Sequence, residues 1–378
     1  MGRCIAIALA LVACGRIDFD PLDGGSSARC TFTSVSIGEA TTCALDSRGR
    51  VYCWGANHDG QTGMPASPEP VLAAARVVLR DAAVEVGVGK SFGCARLGDG
   101  SIWCWGDNSW GQHGNGATAP AAVPTQVALG GETALELEVA GAYACTRRAS
   151  DSAVMCWGQN RFLVLGDTGA PADERMPQPT PVVIPGTAGT KQFVLGHRHG
   201  CGFDAADQIY CWGKGVEGQL GVGTNANSAM PVRPGGLAAV QAIDAANRLT
   251  CVALAGGGVQ CWGTRYLGGA SFDFYQPTVL VPDGIEVATS NYGGCAVRAD
   301  TSVSCWGYLY DQRPTPIDNT PTPLDLTGIA SIEGGWYHYC AFTTSGDLVC
   351  WGSDDKGQLG RGEVESDPRP APVAQLCD

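Results

Sequence analysis

Five histidines occur in the sequence, and two of them, His197 and His199, lie one residue apart. In a β-strand such residues lie on one face, and paired imidazoles can bind a metal ion. No cluster of carboxylates accompanies them, and the motifs of serine hydrolases, zinc peptidases and phosphate-binding loops do not occur. The sequence therefore favours a structural role for this pair and predicts no metal, no cofactor and no enzymatic activity.

Cysteine is the other residue type that could carry chemistry, because the chain has 18 of them. The triplet Cys-Trp-Gly occurs seven times, at spacings of 44 to 55 residues, and a second cysteine precedes each triplet by ten or eleven residues. The resulting pairs are Cys43 and Cys53, Cys94 and Cys104, Cys145 and Cys156, Cys201 and Cys211, Cys251 and Cys261, Cys295 and Cys305, and Cys340 and Cys350.

Each pair flanks a segment that is typical of a β-hairpin. In the first unit, pairing the strands about Arg48 places Cys43 opposite Cys53, and Gly49 supplies the turn. Opposed residues at a non-hydrogen-bonded position have Cα atoms about 4.5 Å apart, which a disulfide tolerates. Zinc sites instead favour cysteines two to four residues apart with a second pair nearby. We therefore predict seven disulfides, one in each hairpin.

The hairpins need further strands to position them, since both of their faces are apolar. A Val-rich strand such as 84–86 precedes each hairpin and a Pro-marked strand such as 181–183 follows it. Four strands in each of seven units predict an all-β, seven-bladed β-propeller that is rich in disulfides.

The units also resemble the regulator of chromosome condensation repeat. Trp-Gly occurs in every unit, and the Gly-Gln-Leu-Gly of that repeat is intact at 218–221 and 357–360. The histidine that precedes the first cysteine of the family pattern survives as His199 and His338. The resemblance covers residues 31–378 and implies the same propeller, but a fold does not by itself specify a function.

The N-terminus indicates export. A nine-residue apolar run at 5–13 is long enough for a signal peptide and too short to span a bilayer. The run leads into Leu11-Val12-Ala13-Cys14-Gly15, which resembles a bacterial lipobox. We predict a lipoprotein signal peptide at 1–13, lipidation of Cys14, a flexible tether at 14–30 and the propeller at 31–378. The expected location is the cell envelope, as an outer membrane lipoprotein that is periplasmic or surface-exposed, with an ordinary secretory signal as the alternative.

Four cysteines remain after the pairs are assigned: Cys4 lies in the predicted signal peptide, Cys14 is the predicted lipidation site, and Cys30 and Cys377 are left. The last unit ends in a Pro-marked strand, whereas none precedes the first unit, so the N- and C-terminal strands are expected to share one blade and close the ring. A bridge from Cys30 to Cys377 at that seam would contribute about 5 kcal/mol in a chain-entropy estimate.

Loop aromatic residues are the candidate binding residues, because loops on a rigid scaffold carry specificity. They are Trp110, Tyr266, Tyr275, Tyr308 and Tyr310. The alternative for Trp110 is packing against a neighbouring blade.

The net charge of the chain disfavours one class of partner. The chain has 24 Lys and Arg against 37 Asp and Glu, a net charge of −13, which disfavours nucleic acid. We predict a monomeric, non-catalytic scaffold that binds an envelope or extracellular protein or glycan and reaches the membrane only through its lipid. The alternatives are an inhibitor of an extracellular enzyme, similar to a β-lactamase inhibitory protein, a nucleotide-exchange or chromatin regulator, and an envelope lyase or glycosidase.

Overall fold

Every copy of the repeat folds into four consecutive strands that pair antiparallel in chain order. The computed structural model describes residues 31–166, 176–267, 270–291, 293–307 and 321–373, without the side chains of 265–267, 270–272 and 368. Over these residues 28 strands form seven four-stranded sheets, and no segment is a helix that could cross a membrane. The predicted all-β, seven-bladed propeller is confirmed.

The strands are numbered in chain order, four to a blade. Blade 1 contains β1 (Phe32–Ile37), β2 (Thr41–Asp46), β3 (Val51–Gly55) and β4 (Val71–Val77). Blade 2 contains β5 (Ala83–Val88), β6 (Phe92–Leu97), β7 (Ile102–Gly106) and β8 (Ala121–Gln126). Blade 3 contains β9 (Ala134–Ala140), β10 (Tyr143–Arg148), β11 (Val154–Asn160) and β12 (Met176–Val183). Blade 4 contains β13 (Gln192–Leu195), β14 (His199–Phe203), β15 (Ile209–Gly213) and β16 (Ser228–Val232).

The remaining blades follow the same order. Blade 5 contains β17 (Val240–Ala245), β18 (Leu249–Leu254), β19 (Val259–Leu267) and β20 (Ala270–Val281). Blade 6 contains β21 (Gly284–Thr289), β22 (Gly293–Arg298), β23 (Val303–Gly307) and β24 (Thr322–Leu324). Blade 7 contains β25 (Ile329–Gly334), β26 (His338–Thr343), β27 (Leu348–Gly352) and β28 (Asp367–Pro372). The first strand of each blade lines the central channel.

Disulfides join the second and third strands of every blade. Cys43 pairs with Cys53 in the β2–β3 register, and the same opposition recurs in all seven hairpins, with Cα–Cα distances of 4.0 to 4.1 Å. The seven predicted intra-blade bridges are therefore present, and each closes within its own blade.

The core consists of seven layers, one between each pair of neighbouring blades. In each layer the disulfide of one blade packs with the triplet tryptophan of the next, as Cys43–Cys53 does with Trp105. The corresponding tryptophans in the other six layers are Trp157, Trp212, Trp262, Trp306, Trp351 and Trp54. The disulfide thus faces the adjacent blade, which explains why both faces of the hairpin are apolar.

A hydrogen bond accompanies this packing in five layers. The Trp105 Nε1–H donates to the carbonyl of Gln61 in blade 1 at 2.9 Å. The equivalent donors are Trp157, Trp212, Trp262 and Trp54, which bond to the carbonyls of Gln112, Val164, Gln219 and Gln358. Among the described residues Trp306 and Trp351 have no partner for Nε1. The Gly-Gln-Leu-Gly of the repeat is absent from the sequence of the two units that precede these tryptophans.

Ring closure differs from the expected shared blade. β28 pairs with β27, and β1 pairs with β2, so blades 7 and 1 are each complete. The ring closes instead by packing of Trp54 against the Cys340–Cys350 layer. Each repeat unit forms one complete four-stranded sheet, and its Pro-marked strand is the outer strand of that same sheet. The terminal segments therefore contribute no strand to a shared blade. Cys30 and Cys377 lie outside the described residues, and their bridge stays a prediction.

The loop between the third and fourth strands owes its shape to an Asn and a Gln of the repeat. In blade 2 the Asn108 Oδ1 accepts from the backbone N–H of His113, and the Gln112 Oε1 accepts from the backbone N–H of Trp110. Blade 7 carries Asp354 at the position of that asparagine, and its Oδ1 accepts from the Leu359 N–H. Burial raises the pKa of Asp354 to about 6, and its Oδ2 has no hydrogen-bond partner.

Asp354→Asn is expected to stabilise the protein at neutral pH. The raised pKa means that the folded state binds the proton more tightly than the unfolded chain, so stability from this group is present near pH 3.8 and lost as the pH rises through about 6. Removing the charge should raise the free energy of unfolding by about 1 kcal/mol at pH 7. Urea unfolding at pH 7 and pH 4 measures the gain, which should vanish at pH 4; an equal gain at both values would contradict the ionisation argument.

Candidate binding site at the channel mouth

Two sets of loops share one face of the propeller because the strands alternate in direction. These are the loops between the first and second strands and those between the third and fourth strands, and we call the surface they form the loop face. The first set places one residue of each blade around the channel mouth. In chain order these residues are Glu39, Lys90, Gly141, His197, Asn247, Asn291 and Trp336.

Trp336 and His197 meet across this mouth, from blade 7 to blade 4. The Trp336 Nε1–H donates to His197 Nδ1 at 2.7 Å, and the ring centroids are 4.6 Å apart. Burial, together with the charges of Arg198 and Lys90, lowers the pKa of His197 to about 3. The imidazole is therefore neutral at physiological pH, and the lone pair on Nδ1 accepts a hydrogen bond from the indole N–H.

His199 has a separate, structural partner. Thr250 Oγ1 donates to the Gln219 carbonyl at 2.9 Å and so accepts from His199 Nε2 at 2.7 Å. His338, Thr42 and Gln358 repeat this arrangement between blades 7 and 1. Burial lowers the pKa of both histidines to about 3, which keeps them neutral. His197 lies in the loop before β14 rather than within a strand, so strand alternation does not place it on one face with His199.

Below the mouth the channel is acidic. Glu138, Asp244 and Glu333 line it, together with apolar residues of the first strands. The Asp244 carboxylate accepts from both the backbone N–H and the hydroxyl of Thr289 in the next blade. The Glu286 carboxylate likewise accepts from the Ile332 N–H at 3.2 Å. These bonds tie neighbouring inner strands together, and no group of three metal-ligating residues forms within the described part of the chain.

A pocket of about 220 Å³ opens beside the mouth on the loop face. It is formed by loops of blades 2, 3, 4 and 7, and the residues that give it its chemistry are Lys90, Asp107, Trp110, Arg161, Arg198 and Trp336. Three of the six are cations and two are indoles, in a chain whose net charge is −13. The pocket therefore concentrates positive charge and aromatic surface at one place.

Three cationic side chains surround the ring of Phe162. Its ring lies 4.6 Å from Arg161 Cζ, 5.4 Å from Arg198 Cζ and 4.9 Å from Lys214 Nζ, all within the range of a cation–π interaction. Lys214 is also paired with Glu217. Arg161 differs, because its Nε is buried and has no hydrogen-bond partner among the described residues.

The backbone at Phe162 is strained. Phe162 and Leu163 have φ values of 60° and 62°, in the left-handed region that disfavours side chains other than glycine. Leu163 occupies the position of the first glycine of Gly-Gln-Leu-Gly, which is Gly218 in blade 4 with φ of 85°. Blade 3 thus retains the loop conformation after losing the glycine, and strain of this kind concentrates at binding sites.

The structure places the predicted binding residues in different environments. Trp110 is half-buried and lines the pocket. Tyr275 does not reach it, because this residue of β20 packs against Gly218 of blade 4, where the missing Cβ leaves room for the ring. The side chain of Tyr266 and all of Tyr308 and Tyr310 lie outside the described residues, as does Cys14.

The sequence analysis did not select the other five of these pocket residues, which are Lys90, Asp107, Arg161, Arg198 and Trp336. Lys90 and Trp336 follow the glycine that begins the first loop of their blades, so the repeat position was a usable signal. Arg161 begins the insertion in which blade 3 departs from the repeat. Departure from a repeat, rather than agreement with it, marks this site.

Comparison with known families matches five stretches of the chain to the repeat whose pattern they resemble. Residues 32–61, 83–112 and 329–358 match one description of the Regulator of chromosome condensation (RCC1) repeat. Residues 99–142 and 206–253 match a second description of the same repeat.

Curated relatives are similar at low identity. The ultraviolet-B receptor UVR8 of Arabidopsis thaliana is 26% identical over 73% of this chain and 66% of its own length. The E3 ubiquitin-protein ligase HERC2 of Homo sapiens is 25% identical over 89% of this chain. The chain spans less than two thirds of either relative, and only 7% of HERC2.

Solved structures share the fold. Human WBSCR16 superposes with a TM-score of 0.76 at 22% identity, covering 86% of this chain and 95% of that one. Prp20p of Saccharomyces cerevisiae, described with its binding properties to Gsp1p and histones, gives a TM-score of 0.73 at 20% identity, with coverage of 88% and 87%. At this level of sequence identity, the structural similarity establishes the fold but not the activity.

Proposed function

We propose that this chain, a seven-bladed propeller that carries regulator of chromosome condensation repeats, is a non-catalytic scaffold that binds another protein through its loop face. The observation that carries the proposal is the pocket beside the channel mouth, where Trp110, Trp336 and arginines converge. Tryptophan and arginine are the residues that most often dominate the energy of protein interfaces. Prp20p, which has been described with its binding to Gsp1p and histones and in complex with Kap60, is a precedent for protein partners of this fold.

We also propose that the scaffold works at the cell envelope, anchored through lipid on Cys14. The nine-residue apolar run and the lipobox-like sequence around Cys14 support this location. Seven disulfides support it independently, since disulfides persist in oxidising compartments and are rare in the cytosol. Incorporation of labelled fatty acid into the wild type, and its loss in Cys14→Ser, tests the anchor; equal labelling of both would refute it.

Affinity capture from envelope extract, with the Cys14→Ser form as bait, tests the scaffold. A Trp110→Ala variant of the bait removes an indole from the pocket, and truncation of an interface tryptophan typically costs about 2 kcal/mol or more. The matched control is Lys191→Gln with Arg233→Gln, since these cations pair with Asp207 and Asp204 in loops of the opposite face.

The expected result is a partner that the parent and the opposite-face control capture and that Trp110→Ala loses. Capture of the same proteins by all three baits, or of nothing above a denatured control, would contradict the proposal.

A further inference from the structure

We infer that the pocket beside the channel mouth binds a carboxylate of an acidic peptide segment, which deepens the proposed function and rests on it. The juxtaposition that carries the inference is Arg161, Arg198 and Lys90 around a cavity of about 220 Å³ that Trp110 and Trp336 flank. A cavity of this size admits one or two side chains, not a helix, so the bound segment is extended.

Arg161 supplies the strongest observation. Its Nε is buried without an acceptor among the described residues, although the side chain lines an open cavity. A buried donor without a partner costs about 1–3 kcal/mol, and a charged one costs more. Because the residue lines the cavity, a carboxylate bound there would neutralise the guanidinium charge.

The surrounding charges point to an anion. Phe162 brings three cations around one ring. Among the described residues Glu217 pairs with Lys214 and, at 3.9 Å, with Arg248. Arg161 therefore lies near like charge, which an incoming anion relieves. The planar fork of arginine fits a carboxylate with two parallel hydrogen bonds.

Two acidic residues near the pocket in the described part of the chain, Asp107 and Glu39, already have partners. Asp107 already accepts from the backbone N–H and hydroxyl of Ser109 and from Gln112 Nε2. Glu39 pairs with Lys90 at 3.4 Å, and the Lys90 side chain remains 58% exposed. The channel below is acidic, so an anion is stabilised at the mouth and repelled from the interior.

The aromatic rings favour a peptide over an inorganic anion. Trp110 and Trp336 border the same cavity and offer apolar surface to the methylene groups of a Glu or Asp side chain. The Trp336–His197 hydrogen bond fixes one of the two indoles. The backbone at Phe162 and Leu163, in the left-handed region, is a second mark of a specialised loop beside the cavity.

The mature full-length protein is titrated with the hexapeptide acetyl-Glu₆-amide, followed by calorimetry at about 20 and 200 mM salt. We expect saturable 1:1 binding that weakens with salt, and no binding of acetyl-Gln₆-amide. Arg161→Gln with Arg198→Gln should weaken binding about tenfold or more. The charge-matched control, Lys191→Gln with Arg233→Gln, should bind as the wild type does.

One further measurement is independent of variant folding, and one further variant tests the arginine fork. The Arg161 Nε–H resonance of the wild type should shift on addition of the Glu peptide. Arg161→Lys with Arg198→Lys retains the charge without the fork and should bind with intermediate affinity.

Three results would overturn the inference: equal binding of the Glu and Gln peptides, equal weakening by the pocket and control substitutions, or binding of trigalacturonate without binding of the Glu peptide. If a partner is captured through Trp110 but the Glu peptide does not bind, the proposed scaffold function is supported. Only the inference that the pocket binds a carboxylate is then refuted.

Discussion

Reduction of the seven disulfides is expected to leave the chain unable to fold. Each bridge closes a loop of about ten residues, for which the chain-entropy estimate is about 3 kcal/mol at most. Domains have net stabilities of about 5–15 kcal/mol, so the loss of all seven contributions exceeds what the fold can spare. The sulfurs also pack in every inter-blade layer, and thiols there would occupy more space.

Because the cysteines are buried, the experiment begins from the unfolded chain. The protein is unfolded in denaturant with reductant, diluted into reducing buffer, and compared with oxidised protein taken through the same dilution. Far-UV circular dichroism and tryptophan fluorescence should return only for the oxidised sample. Recovery of both signals by the reduced sample would show that the bridges are dispensable.

Replacement of Trp105 by alanine is expected to lower the free energy of unfolding by about 3–5 kcal/mol. The indole is fully buried between blades 1 and 2, against the Cys43–Cys53 disulfide. Urea unfolding of the wild type and the variant measures the loss.

Phenylalanine substitutions separate packing from hydrogen bonding. Trp105→Phe also removes the donor to the Gln61 carbonyl, whereas Trp306→Phe removes an Nε1–H that has no partner. The two indoles are equivalent in the repeat and almost equally buried, at 0% and 2% exposure. Trp105→Phe should therefore cost about 1 kcal/mol more than Trp306→Phe. Equal costs would mean that the inter-blade hydrogen bond contributes nothing to stability.

The propeller and its disulfides could be predicted because the residues that determine them lie close together in sequence, within single repeat units. Cysteines ten residues apart on a hairpin are opposed whatever the rest of the chain does, as Cys43 and Cys53 show. Ring closure was not local. It depends on which strand a terminal segment pairs with, and β28 pairs within its own blade.

The pocket could be predicted only in part, because it joins residues from distant units. Trp336 and His197 are 139 residues apart in sequence and meet across the ring. Trp110 lies in a turn that borders the pocket. Tyr275, which the sequence analysis placed in a comparable loop, belongs to β20 and packs on Gly218. Whether a loop aromatic residue faces solvent or the adjacent blade depends on small residues in that blade, which single-unit patterns do not reveal.

Because each described disulfide stays within one blade, no described covalent bond crosses from blade 7 to blade 1. That junction depends on the Trp54 contacts with the last disulfide layer and on its bond to the Gln358 carbonyl. Every other junction also has the polypeptide running through it. Without the predicted Cys30–Cys377 bridge, tension applied to the two chain ends would therefore separate this junction first. The individual blades, each closed by its own disulfide, would stay folded after the ring had opened.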